Sequence, residues 1–201
     1  MPTGVAIHDA REQLFDAAER VLLQAGPSGL TSRAVTTEAG VAKGVLHRYF
    51  ADFDTFVTEF VLDRMARIDT QAAALQQAAG TGTVAGNLTG LLTELFGSVT
   101  LALISLIVSR DELRSRLRRT RPDPRLPILS DATTMIASYL AAERDLGRIA
   151  VDADIDTLAP ILAGTGHLLF ADRESDPPDE PAVRKVVTVA LDSAAARGPS
   201  R

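Results

Sequence analysis

A nearly uncharged segment in the middle of the chain limits its possible folds more than any other feature. Residues 70–109 contain one charged side chain, that of Glu94. A helix that is apolar on all sides is normally buried inside a larger body. The most apolar part, residues 95–109, contains hydroxyl groups and a glycine and is shorter than the about 20 residues that a membrane span requires. We therefore expect this segment to lie inside a helical body, or to line an apolar cavity, with no membrane partner.

Composition favours a helical protein without catalytic chemistry. Only 4% of the 201 residues are aromatic, which disfavours a β-sandwich, whereas alanine, leucine and arginine favour helices. The absence of cysteine excludes disulfides and thiolate metal sites. The three histidines (His8, His47 and His167) lie too far apart in sequence for a local metal motif. We therefore expect no cofactor, no metal and no enzyme activity. Because no basic segment followed by an apolar run opens the chain, we expect a cytoplasmic protein.

The spacing of apolar residues, with the positions of capping and breaking residues, predicts an all-α fold of roughly nine helices. Residues 1–8 are expected to be loose, and Asp9 to begin the first helix. Gly26 and Pro27 are expected to end that helix. The later helices are predicted at about 31–39, 42–49, 52 onward, 84–97, 99–109, 128–146, 154–170 and 181–196.

Residues 31–50 have the pattern of a helix-turn-helix, in which two short helices meet at a small turn that contains Gly40. The second helix is predicted to bury Val41, Leu46 and Phe50. Its outward residues combine two cations with a small glycine that permits close approach: Lys43, Gly44, Val45, His47 and Arg48. Such a helix fits the major groove of DNA, and Ser32, at the start of the preceding helix, is placed to bind a phosphate.

The distribution of charge along the chain also assigns DNA binding to residues 28–50. The whole chain has a net charge of −5, so DNA binding requires a local basic patch. Residues 28–50 supply one, with three cations (Arg33, Lys43 and Arg48) and one acid, Glu38. This footprint is small and predicts weak non-specific binding.

A second basic segment has two interpretations. Residues 110–125 contain seven arginines and three acids, which is compatible with contact to nucleic acid. The alternative is a solvated helix end, in which Asp111 pairs with Arg114 and Glu112 with Arg116. We favour the solvated helix end, because the arginines do not share one helical face.

Residues 11–60 resemble the DNA-binding domain of the TetR family of bacterial transcriptional regulators. The resemblance rests on an alanine-rich first helix that ends in Gly26 and on three motifs: Gly29-Leu30-Thr31, Glu38-Ala39-Gly40-Val41 and Lys43-Gly44-x-Leu46-x-x-Tyr49-Phe50. It implies a DNA-binding domain at residues 9–52 and a domain for ligand binding and dimerisation at 53–196. It also implies a set of DNA-contacting residues: Ser32, Arg33, Lys43, Gly44, Val45, His47, Arg48 and Tyr49.

Four positions depart from the family's usual pattern. Ala42, Val45, His47 and Phe53 stand where serine or threonine, threonine, tyrosine and lysine are common. All but His47 lack a hydroxyl or a cation that binds phosphate. These departures motivate an alternative function, that of a helical ligand-binding or interaction protein that has lost operator binding.

The resemblance further implies a homodimer that binds a palindromic operator of double-stranded DNA and is released by a small-molecule effector. The helices at about 154–170 and 182–196 are expected to form the dimer, and the pocket to lie between those at about 84–97, 99–109 and 129–146. The pocket is expected to be mostly apolar, although its many small residues also fit close helix contacts. Its expected lining is Leu92, Phe96, Thr100, Leu103, Ile107, Met135, Tyr139 and His167, with Asn87 as a further polar group.

Overall fold

The computed structural model of the protein describes residues 4–120, 126–171 and 176–195. Within these ranges the chain forms ten helices. They are α1 (Gly4–Gly29), α2 (Ser32–Glu38), α3 (Gly44–Tyr49), α4 (Phe53–Gln77), α5 (Val84–Leu95), α6 (Ser98–Ser109), α7 (Asp111–Thr120), α8 (Pro127–Asp145), α9 (Ile155–Phe170) and α10 (Glu180–Ala195). The all-α prediction is confirmed. The additional helix is α7, the basic segment that we had interpreted as the end of a helix.

The start of the first helix differs from the prediction. Helix α1 begins at Gly4, so Asp9 lies inside the helix and does not cap it. No proline or glycine stands between Gly4 and Asp9 to stop the helix. The predicted break at Gly26 is confirmed, since this glycine has φ 66° and ψ −174°, and a short helical turn with Pro27 follows it.

Side-chain caps define the starts of three helices. Thr31 accepts a hydrogen bond from the backbone N–H of Ala34 at 3.1 Å and so caps α2. Asp52 accepts one from Thr55 at 2.6 Å, next to the start of α4. Asp154 caps α9 by accepting from Thr157 at 3.1 Å. Each cap uses a residue type that satisfies the free N–H groups of a first turn. The sequence predicts the cap at Asp52 and leaves the other two open between Thr31 and Ser32 and between Asp154 and Asp156.

The contacts divide the chain into two compact units, and the first comprises Met1–Met65 and Ala102–Pro124. The first half of α4 belongs to this unit because its aromatic face completes the core of the helix-turn-helix. The ring of Phe15 lies 5.7 Å from those of Phe50 and Phe56 and 6.0 Å from that of Phe60. The core of this unit therefore includes residues of α4 as far as Phe60.

One arginine joins α1 to α4 in this first unit. The side chain of Arg64 is only 2% exposed and lies among carboxylates. It donates to Asp16 at 2.7 Å, to Glu19 at 2.6 Å and to Asp63 at 2.6 Å. The guanidinium is thus buried but paired, as a buried charge must be.

The second unit comprises Ala66–Leu101 and Arg125–Arg201. Helix α8 packs against α9, and α10 packs against both α5 and α9. Helix α9 approaches the end of α5 closely at Gly166, where an added Cβ would lie 2.9 Å from Phe96 and 3.0 Å from Leu92. The absence of a side chain at Gly166 thus permits close approach of these helices.

Among the described helices, none has by itself both the length and the apolar character needed to cross a membrane. The consecutive helices α5 and α6 meet that criterion only as a pair, across a bend.

Candidate nucleic-acid interface

The two faces of α3 agree with the sequence pattern. Leu46 is 0% exposed, and it is buried together with Phe50 and with Val35 of α2. The opposite face carries Lys43, Gly44, His47 and Arg48, all exposed, flanked by the half-buried Val45 and Tyr49. A short helix with a buried apolar edge thus presents two cations and an imidazole to solvent.

The turn before α3 brings the backbone close to the surface. Gly40 has φ 67°, a conformation that glycine adopts without strain. The backbone N–H of Val41 donates to the carbonyl of Thr36 at 3.0 Å and closes the end of α2. In front of Gly44 nothing lies within 4 Å of where a Cβ would be, so another molecule can approach the backbone of α3 there.

The start of α2 differs in detail from what the sequence suggested. Arg33 is exposed, as a DNA-contacting side chain must be. The Oγ of Ser32 is buried and has no hydrogen-bond partner in the part of the chain that the structure describes. The side chain that caps this helix is that of Thr31. In this conformation the hydroxyl of Ser32 does not face solvent.

Helix α7 belongs to the same unit as the helix-turn-helix. Arg110, just before α7, donates through Nη2 to the carbonyls of Leu30 at 2.7 Å and Pro27 at 3.1 Å. Its guanidinium also lies 5.9 Å from the ring centre of Phe53. The beginning of α7 is therefore fixed to the loop between α1 and α2 and to the first residue of α4.

The two expected ion pairs on α7 are confirmed, and Arg116 also contacts a residue of α4. Asp111 pairs with Arg114, and Glu112 accepts from Arg116 at 3.1 Å. Arg116 also donates through Nη1 to the hydroxyl of Thr55 at 3.2 Å.

The same Nη1 lies 3.9 Å from Asp52. The pKa of Asp52 is lowered, first by the backbone N–H and hydroxyl of Thr55 and then by the charge of Arg116. Sequence reasoning missed these contacts to α4, because they join residues about sixty positions apart.

The residues predicted to line a ligand pocket are mostly buried. These are Leu92, Phe96, Leu103, Ile107, Met135 and Tyr139, whereas Thr100 and His167 are half-buried. Burial and, second, the neighbouring carboxylate of Glu143 together raise the pKa of Tyr139 to about 12, against the opposing effect of Asn87. No sequence motif had marked Glu143, which is fully buried and lies 3.3 Å from the Nε of Arg148.

His167 follows Gly166 in α9 and lies near Phe96. Its ring centre is 5.9 Å from that of Phe96. Its Nδ1 is buried and has no hydrogen-bond partner among the residues described. Burial lowers the pKa of this imidazole, which favours the neutral ring.

Helices α9 and α10 expose several large apolar side chains. Leu168 is 73% exposed, and Ile161 and Val189 are also exposed. Ile161 and Leu168 are seven residues apart and therefore share one face of α9. The half-buried Gly164 and Thr165 lie between them on that face.

Comparison with known proteins agrees with this geometry. Residues 14–56 match the family model described as bacterial regulatory proteins, tetR family. The matched segment runs from α1 into α4 and includes the whole helix-turn-helix. No curated protein matches the chain in sequence.

Solved structures share the fold over nearly the whole chain. A TetR-family regulator from Mesorhizobium loti is 18% identical, with a TM-score of 0.69, and the match covers 93% of this chain and 95% of that one. A TetR-family member from Streptomyces coelicolor is 25% identical, with a TM-score of 0.62 and coverage of 91% and 98%. The regulator FadR from Bacillus subtilis, solved in complex with stearoyl-CoA, is 16% identical, with a TM-score of 0.63 and coverage of 94% and 99%.

An N-terminal helix-turn-helix with an exposed basic recognition face, followed by an all-helical body, defines the class of DNA-binding transcriptional regulators. Within that class, residues 14–56 match the tetR family of bacterial regulatory proteins, as the resemblance of residues 11–60 predicted.

Proposed function

We propose that this protein is a transcriptional repressor that binds a two-fold symmetric operator as a homodimer and is released by a small apolar effector. One observation carries the proposal: α3 exposes Lys43, His47 and Arg48 while Leu46, on its other side, is completely buried. Side chains of these types reach phosphates and base edges in a major groove. The open space in front of Gly44 supports close approach of α3 to DNA.

Dimerisation is supported by the apolar surface on α9 and α10. Monomeric proteins rarely expose a large contiguous apolar patch, and Ile161, Leu168 and Val189 are exposed here. A two-fold dimer places two recognition helices about 34–36 Å apart, one helical turn of DNA. It follows that the preferred operator has two similar half-sites.

The proposed effector is mostly apolar. The predicted lining residues carry few polar groups, and the hydroxyl of Tyr139 is already hydrogen-bonded to Asn87. The Bacillus subtilis protein of the same fold was solved with stearoyl-CoA, a ligand with a long apolar chain. That compound and neutral apolar molecules of similar length are therefore suitable first probes.

DNA binding is tested by a selection that does not require a known operator. The full chain is used to select duplexes from a random 40-base-pair library, and the enriched duplex is then titrated by fluorescence anisotropy at stated salt. Lys43→Ala and Arg48→Ala are expected to weaken binding about five-fold to 150-fold, since a good contact to a base is worth about 1–3 kcal/mol. Arg144→Ala, which removes a cation from α8, is the matched control and is expected to bind normally.

The outcome separates the proposal from its alternative. Selection of a sequence with two similar half-sites supports the repressor. If no duplex is enriched, and folded protein binds no DNA at low salt, the alternative of a protein that has lost operator binding is correct.

The dimer is tested by sedimentation at micromolar concentration. Leu168→Glu is expected to convert a dimer to a monomer with unchanged helicity, because the residue is exposed within one chain and buried in the proposed interface. Val151→Glu, at an equally exposed apolar position before α9, is the control. A monomeric unmodified protein contradicts the dimer and, with it, the two-fold operator.

Effector release is tested on the same protein–DNA complex. Stearoyl-CoA and neutral apolar compounds are added, and both DNA dissociation and the melting temperature are followed. An effector is expected to cause dissociation and to raise the melting temperature, since it binds the folded protein and favours the state with lower DNA affinity. A compound that changes neither is not the effector, and failure of the whole panel contradicts an apolar effector of this length.

A further inference from the structure

Two successive turns of α7 contact the beginning of α4 and the residue that caps it. At the start of α7, Glu112 and Leu113 line a cavity of about 310 Å³ with Asp54 and Val57. About one turn later, Arg116 reaches the hydroxyl of Thr55 at 3.2 Å and lies 3.9 Å from Asp52. Arg119 follows Arg116 by three positions and therefore lies on the same side of α7.

The first turn of α4 directly adjoins the recognition helix. Helix α3 ends at Tyr49 and α4 begins at Phe53, so three residues separate them. If α3 occupies a major groove about 12 Å wide, phosphates line both of its sides. An arginine beside the start of α4 is then close to the DNA backbone.

The charge of α7 is opposite to that of the remainder of its unit. Residues 1–65 contain six cations and nine acids, an excess of negative charge that opposes DNA binding. Helix α7, in contrast, contains four arginines and two acids over ten residues. Arg118 and Arg119 of its last turn are exposed, with 66% of the Arg119 side chain in contact with solvent.

We propose that α7 is a second DNA-binding element, in which Arg116 and Arg119 contact the phosphate backbone next to the recognition helix. This inference rests on the proposed function and adds contacts from outside the helix-turn-helix. The two arginines are three positions apart on one face, and that face is the one directed to α4. They supply positive charge where Phe53, at the start of α4, has none.

Glu112 keeps these two arginines together in the free protein. Its Oε1 accepts from Arg116 at 3.1 Å and from Arg119 at 3.4 Å. The carboxylate is 61% exposed, so water and salt weaken both pairs. A phosphate therefore competes with Glu112 for the same guanidinium groups, and removal of this carboxylate is expected to strengthen DNA binding.

The salt dependence of binding gives a direct count of such contacts. The logarithm of the association constant falls with the logarithm of salt concentration, with a slope of about −0.9 per neutralised phosphate. Loss of one contact therefore reduces the slope by about 0.9, independently of DNA sequence.

The experiment measures this slope by anisotropy between 50 and 200 mM KCl, using the selected duplex and a 30-base-pair duplex of arbitrary sequence. Arg119→Gln is expected to weaken binding to both duplexes about three-fold to ten-fold and to reduce the slope by about 0.9. Arg118→Gln, an equal loss of charge from another face of the same turn, is the matched control and is expected to leave the slope unchanged. Arg116→Lys keeps the charge and is expected to retain most of the affinity.

The test is completed by a substitution that is expected to strengthen DNA binding. Glu112→Gln is expected to tighten binding about three-fold, whereas Asp111→Asn, an equal change that frees Arg114, is expected to have little effect. Circular dichroism verifies that each variant is folded.

The possible failures are distinguishable. If Lys43→Ala abolishes binding while Arg119→Gln and Glu112→Gln leave affinity and slope unchanged, the recognition helix stands and the role of α7 is overturned. Equal losses in Arg118→Gln and Arg119→Gln overturn it too, because the effect is then one of bulk charge. If the unmodified chain binds neither duplex, the proposed function and this inference fail together.

Discussion

The side-chain amide of Asn87 donates a hydrogen bond to the hydroxyl of Tyr139 at 2.9 Å and so links α5 to α8. The same nitrogen lies 3.2 Å from the carbonyl of Ala78 and 3.1 Å from that of Thr81, in the loop that precedes α5. Sequence analysis had selected Asn87 and Tyr139 as polar groups for a ligand. In this structure they form a hydrogen bond with each other, and Asn87 also holds the loop before α5.

The end of α8 holds the same loop from a second side. The carboxylate of Glu143 accepts from the backbone N–H of Gly80 at 3.2 Å. Arg148 donates to the carbonyl of Gly82 at 2.6 Å. The loop between α4 and α5 is therefore fixed by side chains from two sides, and its rigidity depends on them.

We predict that Asn87→Ala loosens this loop. Its loss leaves the buried hydroxyl of Tyr139 without one partner, which costs about 1–3 kcal/mol of folding free energy. Hydrogen exchange of the Gly80 amide is expected to quicken more than that of amides in the middle of α8. Thr93→Ala, which removes a hydrogen bond within α5, is the control. Unchanged exchange at Gly80 would show that Glu143 and Arg148 suffice to hold the loop.

Local signals explain how much of the fold could be predicted from sequence. A cap or a break depends on residues a few positions apart, so the cap at Asp52 and the breaks at Gly26 and Gly40 could be predicted, and the caps of α2 and α9 could be placed to within two residues. The faces of α3 followed from helical periodicity in the same way. The helix-turn-helix, the best-defined part of the candidate site, consists almost entirely of such signals.

Contacts between distant segments were not predictable. Arg64 meets Asp16 at 48 positions, and Asn87 meets Tyr139 at 52 positions. Sequence identifies the charge of an arginine but not the helix that packs against it. This is why α7 was interpreted as a solvated helix end, although its two internal ion pairs were predicted correctly.

We predict that Arg64→Met strongly destabilises the first unit. The substitution leaves Asp16 and Glu19 of α1 close together without their shared cation. Removing one partner of a buried ion pair costs about 3–5 kcal/mol, and the partial exposure of the carboxylates favours the lower end. Urea denaturation followed by circular dichroism measures the loss.

Two further variants test whether the loss of stability at Arg64 depends on its guanidinium group and on its burial. Arg64→Lys is expected to recover only part of the stability, since one ammonium does not reproduce the planar fork of a guanidinium. Arg20→Met removes an exposed pair with Glu38 and is expected to cost less than about 1 kcal/mol. Similar losses at positions 20 and 64 would contradict the buried role of Arg64.

We predict that His167 makes the protein less stable in acid. Burial lowers the pKa of His167 in the folded chain below its ordinary value of 6.5, so the unfolded chain binds more protons between the two values. Its contribution to stability is therefore complete above pH 6.5 and is lost as the pH falls toward the folded pKa. For one group the slope stays below about 1.4 kcal/mol per pH unit.

The measurement is the free energy of unfolding between pH 7 and pH 5. His167→Gln is expected to flatten the dependence, because the amide does not titrate in this range. His47→Gln, at an exposed position on α3, is the control and is expected to retain it. Identical pH profiles for the unmodified protein and His167→Gln would exclude His167 as the source.

The last prediction concerns two helical glycines, one at a close helix contact and one beside open space. Gly166→Ala would place a Cβ 2.9 Å from Phe96 and 3.0 Å from Leu92, which forces two buried side chains to shift and costs about 1–3 kcal/mol. Gly90→Ala is the matched control, because nothing lies within 4 Å of its added Cβ and alanine favours the helix by about 0.5–1 kcal/mol. Melting temperatures at one fixed protein concentration are expected to fall for the first variant and to rise for the second. A rise for both would mean that space remains beside Phe96, and would favour an open pocket over close packing at that contact.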